Sequence, residues 1–301
     1  MKTHERKEKT TTEKIGDFLI TTGFILEMEV SEFLKKKGYT VEVNKYFIDY
    51  DENKKREIDI IASKIINDIE INFVIECKQS STMDWVFVCS DKTPSRYYNF
   101  LKYLPDVPYE KSIDKTRVFD NLRPLDRNIP LAQNSITRHV SGEKSKSNSI
   151  EIYECMMKLP KAVVDTVNDR DSAKKNRVIF FPIVVFSGQI FTADYDSELK
   201  VHEVTAVQSA TELDSDAYKY HYKMPYSMAV SIYGEENKDD GKKNSPVAST
   251  SNELGSRYLI EFITKDGLEA YLTDVENRIS KIDLSLWPLK KENAAPAAIP
   301  F

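Results

Sequence analysis

The sequence predicts an α/β fold in which a mixed β-sheet is flanked by helices. A helical apolar pattern precedes three segments that alternate as strands, and a second helical pattern precedes a continuous apolar run at residues 178–186. Such a run is typical of a central strand that is covered on both faces. A late strand and helix, from Arg257 onwards, extend this predicted core.

Composition limits the classes to which the chain can belong. It has 301 residues, of which 41 % are hydrophobic and 30 % charged, which suits one large soluble domain. No apolar run approaches the ~20 residues that cross a bilayer, and the polar N-terminus is unlike a secretory signal, so we expect a cytoplasmic protein without a membrane partner. Its three cysteines are isolated, and HExxH, GxSxG and glycine-rich phosphate motifs are absent. Zinc hydrolases, serine hydrolases and P-loop NTPases therefore lack sequence support.

The predicted domain organisation is a single elaborated domain with short tails. Residues 1–14 are expected to form a flexible N-terminal tail, residues 15–287 the domain, and residues 288–301 a C-terminal tail. Polar composition predicts exposed loops near residues 141–149 and 235–256. No internal repeat and no clear domain break are present in the sequence.

The first helix is predicted over residues 14–37. Its apolar stripe has spacings of three and four residues, and Gly38 follows as a helix stop. Glu27 lies only about 20° from Leu34 around the helix, beside the stripe. Its carboxylate therefore either reaches the sheet behind the helix or turns outwards to water.

Three strands follow, and two of them carry charges among apolar residues. The first strand is predicted at residues 39–50, the second contains Asp59 and runs to residue 66, and the third occupies residues 69–78. A polar turn is predicted at 51–55 and a tight turn at Asn67-Asp68. Folding the second hairpin about that tight turn places Asp59 directly opposite Glu76. Lys78, two residues beyond Glu76, projects from the same face.

Two carboxylates and a lysine at one point of a sheet indicate a functional site. Neighbouring carboxylates repel each other unless a cation lies between them. A hard divalent cation such as Mg²⁺ removes the repulsion, binding one or two carboxylates together with water and phosphate oxygens. The set therefore suits metal-assisted hydrolysis of a phosphodiester, with the lysine orienting or helping to deprotonate the attacking water or holding a phosphate. The alternative is a structural ion-pair cluster at a strand end.

The remainder of the chain is predicted with less detail. A short apolar segment occupies residues 85–88, and the prolines that follow leave residues 80–131 without a clear assignment. A helix is predicted at 149–168, with a kink or break at Pro160. Further strands are predicted at 178–186, 189–193, 199–207 and 257–263, and a last helix through residue 282.

These segments resemble the core of the PD-(D/E)xK, or restriction-endonuclease-like, nuclease superfamily. The motifs are the helix ending in Gly38-Tyr39, then Glu57-Ile58-Asp59-Ile60, then Ile75-Glu76-Cys77-Lys78. Within that superfamily they are most similar to the Mrr and Holliday-junction-resolvase type of core. The similarity is detailed over roughly the first 80 residues. The proline of the family name is absent, since Ile58 precedes the aspartate.

The resemblance implies an αβββαβ core and a set of site residues. Asp59, Glu76 and the backbone carbonyl of Cys77 would bind Mg²⁺, with Mn²⁺ as a substitute. Lys78 would be the catalytic lysine, and Glu27 the helical acid that adds a metal or water ligand.

The function predicted from these motifs is a Mg²⁺-dependent nuclease acting on DNA, an endonuclease rather than an exonuclease. A role in restriction or anti-phage defence is suggested only by the functions that are common among members of the family, and no residue of this sequence indicates it. Clusters of basic residues at 35–37, 54–56 and 174–177 permit a nucleic-acid partner despite the net charge of −5. A ribonuclease and a catalytically silent nucleic-acid-binding or assembly module remain as alternatives. A homodimer or a regulatory protein partner also stays open.

Overall fold

A computed structural model describes residues 10–49, 51–89, 131–141, 150–169, 177–195, 198–212 and 257–286. These residues form an α/β structure built around one mixed sheet of ten strands, with helices on both faces. None of the described helices is long and apolar enough to span a bilayer.

The helices and strands are bounded as follows. The helices are α1 (Thr11–Thr21), α2 (Phe24–Lys36), α3 (Ile150–Asp169) and α4 (Leu268–Ile279). The strands are β1 (Thr40–Asp49), β2 (Lys54–Ile66), β3 (Ile69–Lys78), β4 (Met83–Cys89), β5 (Leu131–His139), β6 (Arg177–Phe186), β7 (Ile190–Tyr195), β8 (Leu199–Val204), β9 (Ala206–Glu212) and β10 (Arg257–Thr264).

The sheet changes from antiparallel to parallel pairing next to β3. Its strand order is β1-β2-β3-β6-β10-β9-β5-β4-β7-β8. Strands β1, β2 and β3 form an antiparallel meander, whereas β6 pairs in parallel with both β3 and β10. All of β6 is buried, as the apolar run predicted for a central strand. The C-terminal ends of β3 and β6 therefore lie at the same edge of the sheet.

Two apolar clusters cover the two faces of the sheet. On one face α2 and α4 pack on alternate residues of β2, β3 and β6, including Ile60, Phe73 and Ile183. On the other face α3 packs through Ile152, Cys155 and Leu159, in a cluster that includes Val74 and Val184. This two-faced burial is why β3 and β6 are apolar at nearly every position.

The register predicted for the hairpin of β2 and β3 is confirmed. Asn67 and Asp68 have φ values of 49° and 57°, the left-handed conformation that a tight two-residue hairpin turn requires. The ladder runs from the pair Ile66 and Ile69 to the pair Ile60 and Ile75, which is the predicted alignment.

The predicted single helix over residues 14–37 is wrong, because two helices occupy this segment. Gly23 has φ of 79° and separates α1 from α2, since a left-handed residue interrupts a right-handed helix. The first helix also begins earlier than predicted. Thr10 and Glu13 form a capping box, so residues 11–14 are helical rather than part of a tail.

Other predicted elements differ at their boundaries. The single strand expected at 199–207 is two strands, β8 and β9, on either side of Thr205. Strand β4 lies in the region that had no clear assignment, around the predicted apolar segment at 85–88, and β5, which pairs with it, begins at the last residue of that region. Helix α3 continues through Pro160, where a kink or break was predicted. The last helix ends at Ile279, before the predicted residue 282.

Several predictions concern residues outside the described part of the chain. They are the N-terminal tail up to residue 9, most of the loop at 141–149, the loop at 235–256 and the C-terminal tail at 288–301.

We predict opposite effects for two glycine substitutions. Gly38 has φ of 84° beyond the end of α2, where an added Cβ would meet no atom within 4 Å. Gly38→Ala should lower the free energy of unfolding by about 1–2 kcal/mol, the cost of a left-handed alanine. Gly16→Ala, inside α1 and also in open space, should raise it by up to ~1 kcal/mol.

Urea denaturation followed by circular dichroism measures both effects. A Gly38→Ala variant as stable as the parent would contradict the left-handed assignment. The Gly16→Ala variant controls for the general effect of an added methyl group.

Candidate functional site

The candidate site lies where β2 separates from β3. The regular ladder ends at the pair Ile60 and Ile75, so the next predicted pair, Asp59 and Glu76, falls just beyond it. Oδ2 of Asp59 accepts a hydrogen bond of 2.7 Å from the backbone N–H of Cys77. The aspartate side chain thus takes a place that a strand carbonyl would occupy in a continued ladder.

The alternation of β2 side chains between the two faces of the sheet is interrupted at Asp59. Ile60 packs in the cluster beneath α2, yet Ile58, two residues away, packs in the cluster beneath α3. In a regular strand both would lie on one face. On the other side of β2, the ladder with β1 omits Asn44, which has a left-handed φ of 53°. This irregularity lets the Asp59 carboxylate turn into the gap between the strands.

Glu76 is the buried centre of the site. It is only 2 % exposed, and it lies on the α3 face because Val74, two residues earlier, packs there. Its Oε1 is 2.9 Å from Nζ of Lys78, and its Oε2 is 2.6 Å from Nζ of Lys158. A buried carboxylate requires such partners, because an isolated charge in the interior is costly.

Lys158 connects the two acids. Its Nζ also lies 3.6 Å from Oδ1 of Asp59, so one ammonium contacts both carboxylates. The structure therefore brings Asp59, Glu76 and Lys78 together as the sequence predicted, and adds a second lysine from α3. The contact with Oε2 of Glu76 is an ion pair that lacks the alignment of a hydrogen bond.

Sequence reasoning missed Lys158. A weak signal was present, because Lys158 adjoins the buried Cys155 and Leu159 on the helix predicted to cover this face. A lysine that borders an apolar stripe usually extends its ammonium to solvent. Only the packing of α3 against β3 shows that this lysine points at the acids.

Glu27 lies near the acids from the opposite side. Burial, followed by the charges of Asp59 and Glu76, raises the pKa of the half-buried Glu27 carboxyl. Helix α2 covers the face opposite α3, so Glu27 and Lys158 approach the end of the ladder from different helices. The glutamate beside the apolar stripe is thus within electrostatic reach of the site.

The ionisable groups of the site are strongly perturbed. Burial and the charge of Glu76 raise the pKa of Asp59, although Lys158 and the Cys77 N–H oppose this effect. Burial lowers the pKa of Lys78, but the charge of Glu76 and its hydrogen bond outweigh burial and hold that pKa above its ordinary range. Lys78 is therefore a persistent cation at neutral pH.

A second, more buried ion-pair cluster fixes α3 in position. Lys161, one turn after Lys158, places its Nζ 3.0 Å from both carboxylate oxygens of Asp49 and 2.8 Å from Asp51. Asp49 is 1 % exposed and also accepts a 2.8 Å hydrogen bond from Nε of Arg56. These contacts anchor α3 to the hairpin of β1 and β2.

The residues present suit a hard divalent cation. Asp59 and Glu76 supply carboxylate oxygens, which Mg²⁺ prefers, and both already contact a single positive charge. Among the described residues, no group of three or more His, Cys, Asp or Glu side chains is arranged to hold a metal ion. A bound Mg²⁺ would thus rely on these two carboxylates, with water or substrate completing its shell. A Cys77 carbonyl ligand and a Glu27 ligand stay predictions.

Comparison with known proteins adds no relative. No protein-family model, no curated protein and no solved structure matches this chain. The resemblance to the nuclease superfamily therefore rests on the motifs and on their arrangement alone.

We predict that Asp59→Asn stabilises the metal-free protein at neutral pH. A raised pKa means that the folded state holds the proton more tightly than the unfolded chain, so ionised Asp59 reduces stability as pH rises through that pKa. In EDTA at about pH 7.5, the melting temperature should rise by roughly 2–4 °C, which corresponds to about 1 kcal/mol.

The difference between the two proteins should shrink as pH falls, because the native aspartate then becomes neutral as well. Calorimetric melts across this pH range measure the effect. A variant that is less stable than the parent at neutral pH would show that the Lys158 contact outweighs burial.

The Lys161 anchor leads to a separate stability prediction. Lys161→Met leaves the buried Asp49 with one cation fewer and should lower the free energy of unfolding by about 2–3 kcal/mol. Asp51→Asn removes a more exposed partner of the same lysine and should cost less than about 1 kcal/mol. Guanidinium denaturation compares the two variants, and equal losses would contradict the anchoring role.

Proposed function

We propose that this protein is a Mg²⁺-dependent nuclease that hydrolyses phosphodiester bonds in DNA. The observation that carries the proposal is the convergence of Asp59, Glu76 and Lys78 at the open end of the hairpin between β2 and β3. Two carboxylates that share one cation, beside a persistent ammonium, provide the charges that phosphodiester hydrolysis needs.

The order of the elements supports the same proposal. Helix α2 is followed by three antiparallel strands, then by α3, and then by β6, which pairs in parallel with β3. This is the αβββαβ order that the resemblance implies, with β4 and β5 inserted before α3. Asp59 and Glu76 lie on β2 and β3, the second and third strands of that order.

Each residue of the site has a distinct proposed role. Asp59 and Glu76 would hold Mg²⁺, which when bound lowers the pKa of water and polarises the phosphoryl oxygens. Lys78 is held by Oε1 of Glu76 and remains protonated, so it would donate hydrogen bonds that orient water or phosphate rather than remove a proton. Glu27, whose pKa is raised by burial and by the neighbouring carboxylates, is more basic than an ordinary glutamate and is the better candidate to accept a proton.

The surface charges limit how nucleic acid would be bound. Lys35, Lys37 and Lys54 each pair with a nearby glutamate, and Arg177 pairs with Asp68. The basic clusters singled out in the sequence are thus partly neutralised. Recognition would therefore also depend on the cations of the site itself, Lys78 and Lys158.

A catalytically silent module is the second candidate. The observation that favours it is that Lys78 and Lys158 already neutralise Glu76, as in a structural ion-pair cluster. DNA is preferred over RNA as a substrate only through the resemblance, so a ribonuclease belongs among the outcomes of the same experiment.

We predict that Lys78→Met lowers metal-dependent cleavage at least ~100-fold, because it removes the charge that stabilises the reacting phosphate. Linear, circular and single-stranded DNA and RNA are incubated with Mg²⁺, Mn²⁺ or EDTA, and the products are separated on gels. Lys200→Met, which removes an exposed lysine on the edge strand β8, is the matched control and should cleave like the parent.

Calorimetric titration with Mn²⁺ provides a second measurement. Lys78→Met should still bind Mn²⁺, whereas Asp59→Ala should not. Full cleavage by Lys78→Met would remove Lys78 from the mechanism, and absence of metal-dependent products from every substrate would favour the silent module.

A further inference from the structure

Lys158 occupies the place where a divalent cation would act on the two acids. Its ammonium is 2.6 Å from Glu76 and 3.6 Å from Asp59, while the other oxygen of Glu76 faces Lys78. A monovalent cation and a divalent cation cannot both occupy that position. Binding of Mg²⁺ by these carboxylates therefore requires the Lys158 ammonium to leave.

The chain allows the side chain to leave while the helix stays in place. Lys161 fixes α3 to Asp49, so the backbone near Lys158 has a rigid support. The Lys158 side chain is 24 % exposed, and its closest contact with Glu76 is not aligned as a hydrogen bond. A flexible four-carbon stem on an anchored helix permits the ammonium to move without moving the helix.

The net charge of the site favours keeping the displaced ammonium near the bound phosphodiester. Asp59, Glu76 and Glu27, when ionised, carry one more charge than Lys78 and Lys158 neutralise. Addition of a divalent cation makes the site positive by one charge, which matches one phosphodiester. Without Lys158 the metal-loaded site would be neutral and would attract the phosphodiester less.

We propose that Lys158 is a displaceable counter-ion that becomes a phosphate-binding residue. Its ammonium neutralises Asp59 and Glu76 in the metal-free protein, and binds the substrate phosphodiester once a divalent cation has displaced it. This inference rests on the proposed nuclease function and names a residue that neither the motif nor the resemblance includes.

The inference predicts that Lys158→Met shifts two affinities in opposite directions. Mn²⁺, titrated alone in a calorimeter, should bind about tenfold more tightly, because no ammonium has to be displaced. A duplex DNA with phosphorothioate linkages, which resist cleavage, should bind roughly tenfold more weakly in Mg²⁺, because one charged contact is lost. Lys200→Met, the control on the edge strand β8, should change neither affinity.

The two titrations test the two roles of Lys158 separately. Weaker or unchanged Mn²⁺ binding by Lys158→Met would overturn the counter-ion role, and unchanged DNA binding would overturn the phosphate role. Lys158→Arg keeps the charge and should retain the parent's DNA affinity. Circular dichroism establishes that each variant is folded before it is titrated.

The parent protein offers a test without substitution. Acetic anhydride labels free amines, and mass spectrometry measures the label on each lysine. Saturating Mg²⁺ should increase the labelling rate of Lys158 several-fold, while the buried Lys161 and the exposed Lys35 keep their rates. An unchanged or slower rate at Lys158 would overturn the displacement.

These measurements separate the two proposals. The Mn²⁺ titration and the labelling do not depend on catalysis, so they test Lys158 even if no nucleic acid is cleaved. Absence of cleavage by the parent protein would remove the nuclease function but leave the displacement of Lys158 measurable.

Discussion

The burial of the Glu76 carboxylate is the constraint on which the site depends. Glu76 belongs to β3, a strand covered on both faces, and almost none of its surface reaches water. A charge in that position has to be neutralised by groups that the fold brings to it. Lys78 comes from the same strand, whereas Lys158 comes from the helix that packs on that face. The burial of the Glu76 carboxylate thus depends on where α3 packs, because α3 carries Lys158.

The hairpin of β1 and β2 also helps to hold α3 in position. Asp49 at the end of β1 holds Lys161, and Arg56 on β2 holds Asp49. Lys158 and Lys161 are one helical turn apart. The ion pair of Lys161 therefore holds in place the stretch of backbone from which the Lys158 side chain extends. The two ion-pair clusters therefore differ in role. The more buried pair of Lys161 and Asp49 holds α3 in position, and the more exposed Lys158 contacts the acids of the site.

Local patterns were sufficient to predict the hairpin and its register. Asn67-Asp68 accepts the turn, and the two-residue period of the strands then places Asp59 beside Glu76. The break at Gly23 was missed because the apolar periodicity continues on both sides of it, and only the left-handed φ separates the helices. Lys158 was missed for a different reason. Its role arises from the packing of a distant helix, which no local pattern encodes.

The pairing of Glu76 with two lysines has a consequence for biosynthesis. Small zinc domains fold only when their metal is supplied, because their ligands have no other partners. Here the acids of the site already have ammonium partners within the chain. The polypeptide can therefore reach its native structure without any metal. Under the proposed function, binding of a divalent cation would be a later event that depends on the free cation concentration around the folded protein.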